Sequence, residues 1–197
     1  MEAIWKKYYW LDFVKFANLF LSDHHELVAV KYFTATPLES EKEIRQSALF
    51  KANKFLNGEG IQFIKGKYYR KPIRCKATCN ERFTIFEEKR TDVNISVEIM
   101  GDCAFDKTDL IILISADSDL VPTIEYVKAH FTDKAIKVYF PPCRRSNDII
   151  DILGHPVVFL DRNKLKFEKA VMTPTVGAGE HEVTIPKEWI YTPVVPL

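Results

Sequence analysis

Asp117 and Asp119 are the residues of this sequence whose type and spacing point most directly to chemistry. They follow an unbroken apolar run, residues 110–114, which predicts a central strand that opens into a loop. Two carboxylates one residue apart at a strand end repel each other unless a cation or protons lie between them. Asp92, at the start of the preceding helical pattern, is placed to reach the same edge. Oxygen donors with no nearby Cys or His favour a hard ion, Mg²⁺ or Mn²⁺.

An ion held by such carboxylates activates water and screens the charge that builds on a phosphodiester during in-line displacement. The same residues also have a structural interpretation. Asp117 and Asp119 are suited to cap the helix that begins near Pro122, and Asp92 is suited to the N-terminal dipole of its own helix. Spacing alone leaves both interpretations open.

The elements that must position these aspartates form an alternating pattern, which predicts βαβ units and a mainly parallel sheet. Predicted helices cover residues 11–21, 39–56, 91–105 and 147–153, with a further helix from Pro122, and predicted strands cover residues 27–34, 61–64, 110–114, 135–140 and 157–160. In an open parallel sheet, functional groups gather beyond the carboxyl ends of the strands. Residues 65–89 lack clean periodicity, so they predict a long loop outside the sheet.

The bulk properties predict one cytoplasmic domain over residues 1–162, followed by an extended tail over residues 163–197 that packs on the same domain. No apolar run is long enough to span a membrane and the start has no secretory signal, so no membrane partner is expected. The 28 basic and 27 acidic residues give a net charge of +1. The field of the whole molecule therefore does not concentrate nucleic acid, and any such contact must come from a local patch.

Two further features lie within the predicted loop. Cys75 and Cys79 have the spacing of half a zinc knuckle, which would need two more ligands; reduced, isolated thiols are the alternative. Basic side chains alternate there with aromatic rings: Lys65, Lys67, Arg70, Lys71, Arg74, Lys76 and Arg82 with Tyr68, Tyr69 and Phe83. Phosphate contacts combined with stacking rings hold single-stranded RNA without much sequence preference. A solvated basic loop is the equal alternative.

Two stretches carry a family resemblance, and they are Glu88-Lys89-Arg90-Thr91-Asp92-Val93-Asn94 and Leu113-Ile114-Ser115-Ala116-Asp117-Ser118-Asp119-Leu120-Val121-Pro122. In order and separation they resemble the two downstream motifs of NYN-domain proteins, in the LabA-like (DUF88) branch of the PIN-like nuclease superfamily. Similar stretches elsewhere are Tyr9-Trp10-Leu11-Asp12, Val30-Lys31-Tyr32-Phe33-Thr34-Ala35, Arg45-Gln46 and Pro186-Lys187-Glu188-Trp189. The resemblance therefore covers nearly the whole chain.

The resemblance implies an α/β fold of the PIN-like (Rossmann-like) kind, a mainly parallel sheet with helices on both faces in three α/β/α layers. It also implies a ribonuclease that hydrolyses RNA phosphodiester bonds with Mg²⁺ or Mn²⁺. The catalytic and metal-binding residues of the family map onto Asp92, Asp117 and Asp119, and Asn94 and Ser115 match supporting positions.

Basic residues are expected to bind the RNA backbone, and these are Lys89, Arg144 and Arg145. Arg144 and Arg145 follow Pro141-Pro142 at another carboxyl strand end. Two alternatives to a ribonuclease stay open at this point. One is a catalytically impaired RNA-binding or regulatory module of the same fold, and the other is a phosphatase or nucleotide hydrolase.

The sequence departs from the family at its start. Family members usually begin with an apolar strand that ends in Asp-Gly-x-Asn, and here no such strand precedes Tyr9. Because that strand lies in the middle of the sheet, its loss would remove a metal ligand and the backbone partners of two strands. The strand lies upstream of Met1, comes from a separate chain, or has been lost from a degenerate copy; a homo-oligomer is also compatible. Asp12 is no substitute, since it is placed to cap the helix that follows it.

Overall fold

The protein is described by a computed structural model, which covers residues 2–75, 81–154 and 157–190. The helices of these residues are α1 (Glu2–Trp5), α2 (Phe13–Asn18), α3 (Ser40–Asn57), α4 (Thr91–Ala104), α5 (Val121–His130), α6 (Asn147–Leu153) and α7 (Lys164–Ala170). The strands are β1 (Val30–Ala35), β2 (Ile61–Arg74), β3 (Arg82–Lys89), β4 (Leu110–Ile114), β5 (Ala135–Phe140), β6 (Val158–Phe159), β7 (Thr175–Val176) and β8 (Val183–Thr184). Helices lie on both faces of sheets rich in parallel pairs, so the predicted three-layer α/β/α class is confirmed.

The strands form two three-stranded sheets and a small hairpin, β7–β8. In the first sheet, β1 runs parallel to β2 and β2 runs antiparallel to β3. In the second sheet, β4, β5 and β6 are all parallel. Helices α3 and α5 provide the crossovers from β1 to β2 and from β4 to β5. Within the described residues, no strand pairs with the second edge of β1 or of β4.

Helices α2 and α4 lie on opposite faces of β1. The Lys31 Nζ donates a hydrogen bond to Glu98 of α4 at 2.8 Å. The next residue, Tyr32, points to the other face, as successive strand residues do. Its ring centroid lies 4.6 Å from that of Phe13 in α2.

The same two helices cover β4 of the second sheet. Leu113 shares a buried core with Ile99 of α4, and its neighbour Ile112 packs against the core that contains Phe16 of α2. Because α2 and α4 each contact both sheets, we infer that the open edges of β1 and β4 face each other between these helices, across a space here called the gap. Four of the five residues of β4 are less than fully buried, which is consistent with its position at the edge of its sheet.

The start of α2 is fixed by buried polar contacts. Asp12 caps α2 and accepts a hydrogen bond from the Lys15 backbone at 3.0 Å, as predicted. The fully buried Asn53 of α3 accepts a hydrogen bond from the Phe13 backbone at 2.9 Å and donates one to the Leu11 carbonyl at 2.9 Å. These bonds attach α2 firmly to α3.

The prediction of a loop over residues 65–89 is wrong. Strand β2 continues to Arg74 and pairs with β3 over residues 67–74 and 82–89, so the segment is an antiparallel ribbon. Both faces of this ribbon are largely exposed, so its residues show no alternation between polar and apolar types. The usual sequence signal of a strand is therefore missing. Cys75 is a free, half-buried thiol next to the ribbon, and Cys79 lies outside the described residues.

The chain after residue 162 is not simply extended, because it begins with helix α7. Phe167 of α7 packs with Trp5 and Tyr8 in an aromatic cluster. Further on, Met172 and Val176 are buried in a core with residues of α3.

Candidate metal centre

Asp117 is held by a tight loop after β4. Its carboxylate accepts a hydrogen bond from the Asp119 backbone at 3.0 Å and so caps the short 3-10 helix Ser118–Leu120. Its own backbone N–H donates to the Ser115 Oγ at 3.1 Å. The N-cap of α5 itself is Leu120, without a side-chain cap bond, so the interpretation of Asp117 and Asp119 as caps of α5 is wrong, and Asp117 caps the short 3-10 helix that precedes it. The side chains of Asp117 and Asp119 are exposed.

Asp92 lies in the first turn of α4, which begins directly after β3. Arg90 makes this sharp turn with a left-handed backbone, at a φ of 78°. Gly66 of β2 faces the turn so closely that an added Cβ would lie 2.5 Å from the Thr91 Oγ1 and 2.8 Å from the Lys89 carbonyl oxygen. Only glycine fits at this position, and the start of α4 is placed against β2.

The negative charges of the three predicted aspartates act on one another. Burial raises the pKa of Asp92, and the negative charges of Asp117, Asp119 and Glu88 raise it further. A carboxylate responds in this way only to charges in its immediate surroundings. Asp92, Asp117 and Asp119 therefore lie within electrostatic range of one another, and the place where they do so is here called the carboxylate edge.

Glu88 is a neighbour of this site that belongs to one of the two sequence motifs but has no role assigned by it. It accepts a hydrogen bond from the Thr91 hydroxyl at 2.5 Å. A more distant hydrogen bond, 3.4 Å long, joins it to the Tyr68 hydroxyl across the ribbon. Only the pairing of β2 with β3 places Glu88 beside this site. That pairing could not be predicted from the sequence, because the sequence of the ribbon has the pattern of a loop.

Helix α4 is attached to α5 immediately behind the aspartates. The Thr123 hydroxyl donates to the Ser96 Oγ at 2.7 Å, and Thr123 itself is buried. Leu120, just after Asp119, has no exposed surface. The loop that carries Asp117 and Asp119 is thus fixed at both ends.

The remaining predicted residues are spread around this centre. Asn94 is half-buried in the first turns of α4, and Lys89 forms an ion pair with Glu87 at 2.9 Å. Arg144 and Arg145 are exposed after β5. Within the described residues, no hydrogen bond or ion pair joins Lys89, Arg144 or Arg145 to the aspartates. Arg144 instead lines a separate cavity of about 450 Å³, together with aromatic side chains of the N-terminal segment and α7: Trp5, Tyr8, Tyr9 and Phe167.

The donor set fits a hard cation, because it consists only of carboxylate oxygens. In the part of the chain that the structure describes, however, no three His, Cys, Asp or Glu residues are close enough together to hold a metal ion. The aspartates lie within electrostatic range of one another without forming a closed coordination shell. The same finding leaves Cys75 without a metal partner among the described residues.

The architecture is that of an α/β domain with a PIN-like three-layer fold. The NYN domain model matches residues 5–150, more than half of the 197-residue chain, and the chain belongs to the NYN domain family. The family match confirms the resemblance of the two motifs; membership of the LabA-like branch stays a prediction. No helix in the described part of the chain is both long and apolar enough to cross a bilayer.

Two individual proteins are similar to this chain. The first is the 6-hydroxy-3-succinoylpyridine 3-monooxygenase HspA of Pseudomonas putida, which is 24% identical over 222 residues that cover 94% of this chain and 70% of the relative. The second is the crystal structure of VPA0982, a protein of unknown function from Vibrio parahaemolyticus. Its TM-score is 0.51 at 20% identity, over 77% of this chain and 79% of that chain. At that identity the second similarity supports the fold alone.

Proposed function

We propose that this protein is an Mg²⁺- or Mn²⁺-dependent ribonuclease that hydrolyses RNA phosphodiester bonds at Asp92, Asp117 and Asp119. The observation that carries the proposal is the effect of Asp117 and Asp119 on the raised pKa of Asp92. Carboxylates that repel one another in this way are stabilised by a cation or by protons. Membership of a PIN-like nuclease family gives the reaction class.

The residues of this site would have different roles in the reaction. A divalent ion bound by the carboxylates would supply Lewis-acid activation of water and would screen charge on the phosphodiester. Asp117 is oriented for this role by the Asp119 backbone and the Ser115 hydroxyl. Asp92 would add a third carboxylate to this ion from the first turn of α4.

The test is cleavage of end-labelled RNA by the purified protein in Mn²⁺, with Asp117→Asn beside it. Asp148→Asn is the matched control, because Asp148 is an exposed aspartate in the first turn of a different helix, α6. We expect cleavage to stop in EDTA and to fall by about a hundredfold or more in Asp117→Asn, the scale on which one transition-state group acts. Asp148→Asn should cleave like the wild type. Equal cleavage by wild type and Asp117→Asn would reject the proposal.

A second candidate is an RNA-binding or regulatory module without turnover. Two observations favour it: within the described residues the carboxylates form no closed metal shell, and the Asp117 carboxylate is already engaged as a cap. This candidate predicts RNA binding that weakens with salt, no response to Mn²⁺ and no cleavage. Turnover that Asp119→Asn abolishes would reject it, and hydrolysis of free nucleotides with RNA left intact would favour a phosphatase or nucleotide hydrolase.

The monooxygenase activity in the name of the Pseudomonas putida protein belongs to that relative. At 24% identity the relative supports a shared fold and leaves the reaction of this chain to be measured.

A further inference from the structure

The β2–β3 ribbon has two faces that differ in how far their basic side chains are paired with carboxylates. Residues 61–66 of β2 pair with β1 in the sheet. Beyond them β2 pairs, among the described residues, only with β3, so residues 67–74 and 82–89 form a two-stranded arm. Residues directly opposite each other on paired strands share a face. The register therefore assigns every side chain of the arm to one face or the other.

One face, here called the arginine face, presents exposed basic and aromatic side chains: Tyr68, Arg70, Arg74, Arg82 and Phe86. The Arg70 guanidinium lies 5.7 Å from the centre of the Phe86 ring. Among the described residues, no carboxylate forms an ion pair with these arginines. Their charge is available to a ligand.

Arg74 and Arg82 are direct cross-strand partners on this face. Like charges directly opposite each other destabilise a strand pair. An anion placed between two guanidinium groups removes this repulsion and accepts hydrogen bonds from both. The pair therefore has the charge and the geometry for a phosphate group.

The opposite face, here called the lysine face, carries Lys67, Lys71 and Lys89. Glu87 forms ion pairs with Lys71 at 3.1 Å and Lys89 at 2.9 Å. Hydrogen bonds from these two lysines lower the pKa of Glu87. Two of the three cations on the lysine face are thus engaged by a carboxylate, which distinguishes this face from the arginine face.

The arginine face also adjoins the aspartates. Tyr68 pairs across the ribbon with Glu88, and the charge of Glu88 reaches Asp92. Gly66, two residues before Tyr68 on the same side of β2, lies against Thr91 at the start of α4. A chain that lies along the arginine face therefore arrives at the carboxylate edge.

We propose that the arginine face binds a single-stranded segment of RNA and directs it to the aspartates. Arg70, Arg74 and Arg82 contact its phosphates, and Tyr68 and Phe86 stack on its bases. Basic groups interleaved with aromatic rings are the means by which proteins hold single strands with little sequence preference. The inference rests on the proposed function for its choice of RNA as the ligand, and it names the surface and the strandedness of that ligand.

The experiment measures binding of a fluorescein-labelled single-stranded RNA to the full chain by anisotropy in EDTA, so that turnover plays no part. The variants are Arg74→Gln with Arg82→Gln on the arginine face and Lys67→Gln with Lys71→Gln on the lysine face, which remove equal charge. We expect the arginine variant to flatten the dependence of log affinity on log salt by about 1.4, or roughly 0.7 for each phosphate that is no longer neutralised. Phe86→Ala should weaken binding at least about fivefold, the lower end for one stacked base.

The lysine variant should bind within about twofold of the wild type, since Lys67 and Lys71 lie on the opposite face of the arm and Lys71 is already paired with Glu87. Circular dichroism and thermal melting check that each variant folds. Equal losses from both faces, or equal affinity for duplex and single-stranded RNA, would overturn the inference. If RNA is bound on the arginine face but never cleaved in Mn²⁺, the proposed nuclease function is wrong and this inference stands. If RNA is cleaved and the arginine variant binds it normally, the nuclease function stands and this inference is wrong.

Discussion

At the scale of single residues, Gly66 controls where Asp92 lies. A Cβ at this position would come within 2.5 Å of the Thr91 Oγ1 and 2.8 Å of the Lys89 carbonyl. We predict that Gly66→Ala displaces the start of α4, costs about 1–3 kcal/mol of unfolding free energy and reduces RNA cleavage.

Gly101 offers a control for the same substitution in the interior of α4. An added Cβ there meets nothing within 4 Å, so Gly101→Ala should stabilise the helix by about 0.5–1 kcal/mol. Urea denaturation measures both variants. The account of Gly66 is wrong if Gly66→Ala is as stable as the wild type.

Asp92 gives a pH-dependent prediction. Burial and the charges of Asp117, Asp119 and Glu88 raise its pKa in the folded protein. The folded state therefore binds more protons than the unfolded chain between the ordinary pKa of aspartate and this raised value, and stability falls as the pH rises through that interval. Asp92→Asn removes this loss of stability. As the pH rises from about 3 to 7 in EDTA, the variant should therefore become more stable relative to the wild type.

Mn²⁺ should act in the opposite direction, because an ion that binds only the folded state stabilises it. The melting temperature at neutral pH should rise with Mn²⁺ for the wild type and rise less for Asp92→Asn. Parallel pH profiles of the two proteins in EDTA would contradict the proximity of the carboxylates.

The site residues differ in how far the sequence could predict them. Asp117 and Asp119 were placed correctly because they follow β4, and the apolar run defines the same bounds for this strand as the structure does. Glu88 was missed because its position depends on the pairing of β2 with β3. Arg90 was missed because its left-handed backbone, with a φ of 78°, is unusual for a residue with a side chain.

At the scale of elements, Lys31 connects β1 to α4, the helix that carries Asp92. Its ammonium group lies 2.5 Å from Asp102 and 2.8 Å from Glu98, and the side chains of Lys31 and Asp102 are each only 18% exposed. Burial lowers the pKa of Lys31, but hydrogen bonds and charges from these two carboxylates outweigh burial and raise it overall.

We predict that Lys31→Met destabilises the protein by about 1–3 kcal/mol, between the values for exposed and buried pairs, because it leaves Asp102 without its main partner. Lys54→Met is the control, since Lys54 pairs with Glu59 at 3.0 Å but Glu59 is 95% exposed. That variant should stay within about 0.5 kcal/mol of the wild type. Thermal unfolding compares them, and equal effects would show that the Lys31 pair contributes no more than a surface contact.

The elements that the sequence predicted well are those with one buried face. The bounds of α6 and β5 match the predicted ranges, and α5 begins with Pro122 in its first turn. The ribbon was not predicted as a pair of strands because both of its faces are exposed. Helix α7 was not predicted because its short pattern, Lys164–Ala170, falls in a region otherwise rich in Gly and Pro. The spacing of apolar residues along a sequence reflects which face of an element is buried. It therefore cannot detect elements that are weakly buried or are buried only by distant residues.

At the scale of the whole molecule, the two sheets are held together by helices and by no strand within the described residues. Helix α2 reaches Tyr32 of β1 through the ring of Phe13, and Phe20, just after α2, reaches Tyr139 of the second sheet. Helix α4 does the same on the other face through Glu98 and Ile99. The gap between β1 and β4 is therefore covered by α2 on one face and by α4 on the other. The family resemblance predicts a central strand ending in Asp-Gly-x-Asn at this position.

This gap predicts an uneven pattern of amide protection. Strand β5 is paired on both sides, with β4 and β6, so its amides should exchange slowly with solvent. The amides of β1 and β4 that point into the gap have no ladder partner among the described residues and should exchange far faster.

An apolar strand ending in Asp-Gly-x-Asn, joined to the N-terminus by a flexible linker, should protect these amides, raise the melting temperature and tighten Mn²⁺ binding through its added carboxylate. The same extension with prolines at alternate strand positions should do none of these, because proline cannot donate to a ladder. Identical exchange in β1, β4 and β5 of the unextended protein would mean that the gap is closed in solution.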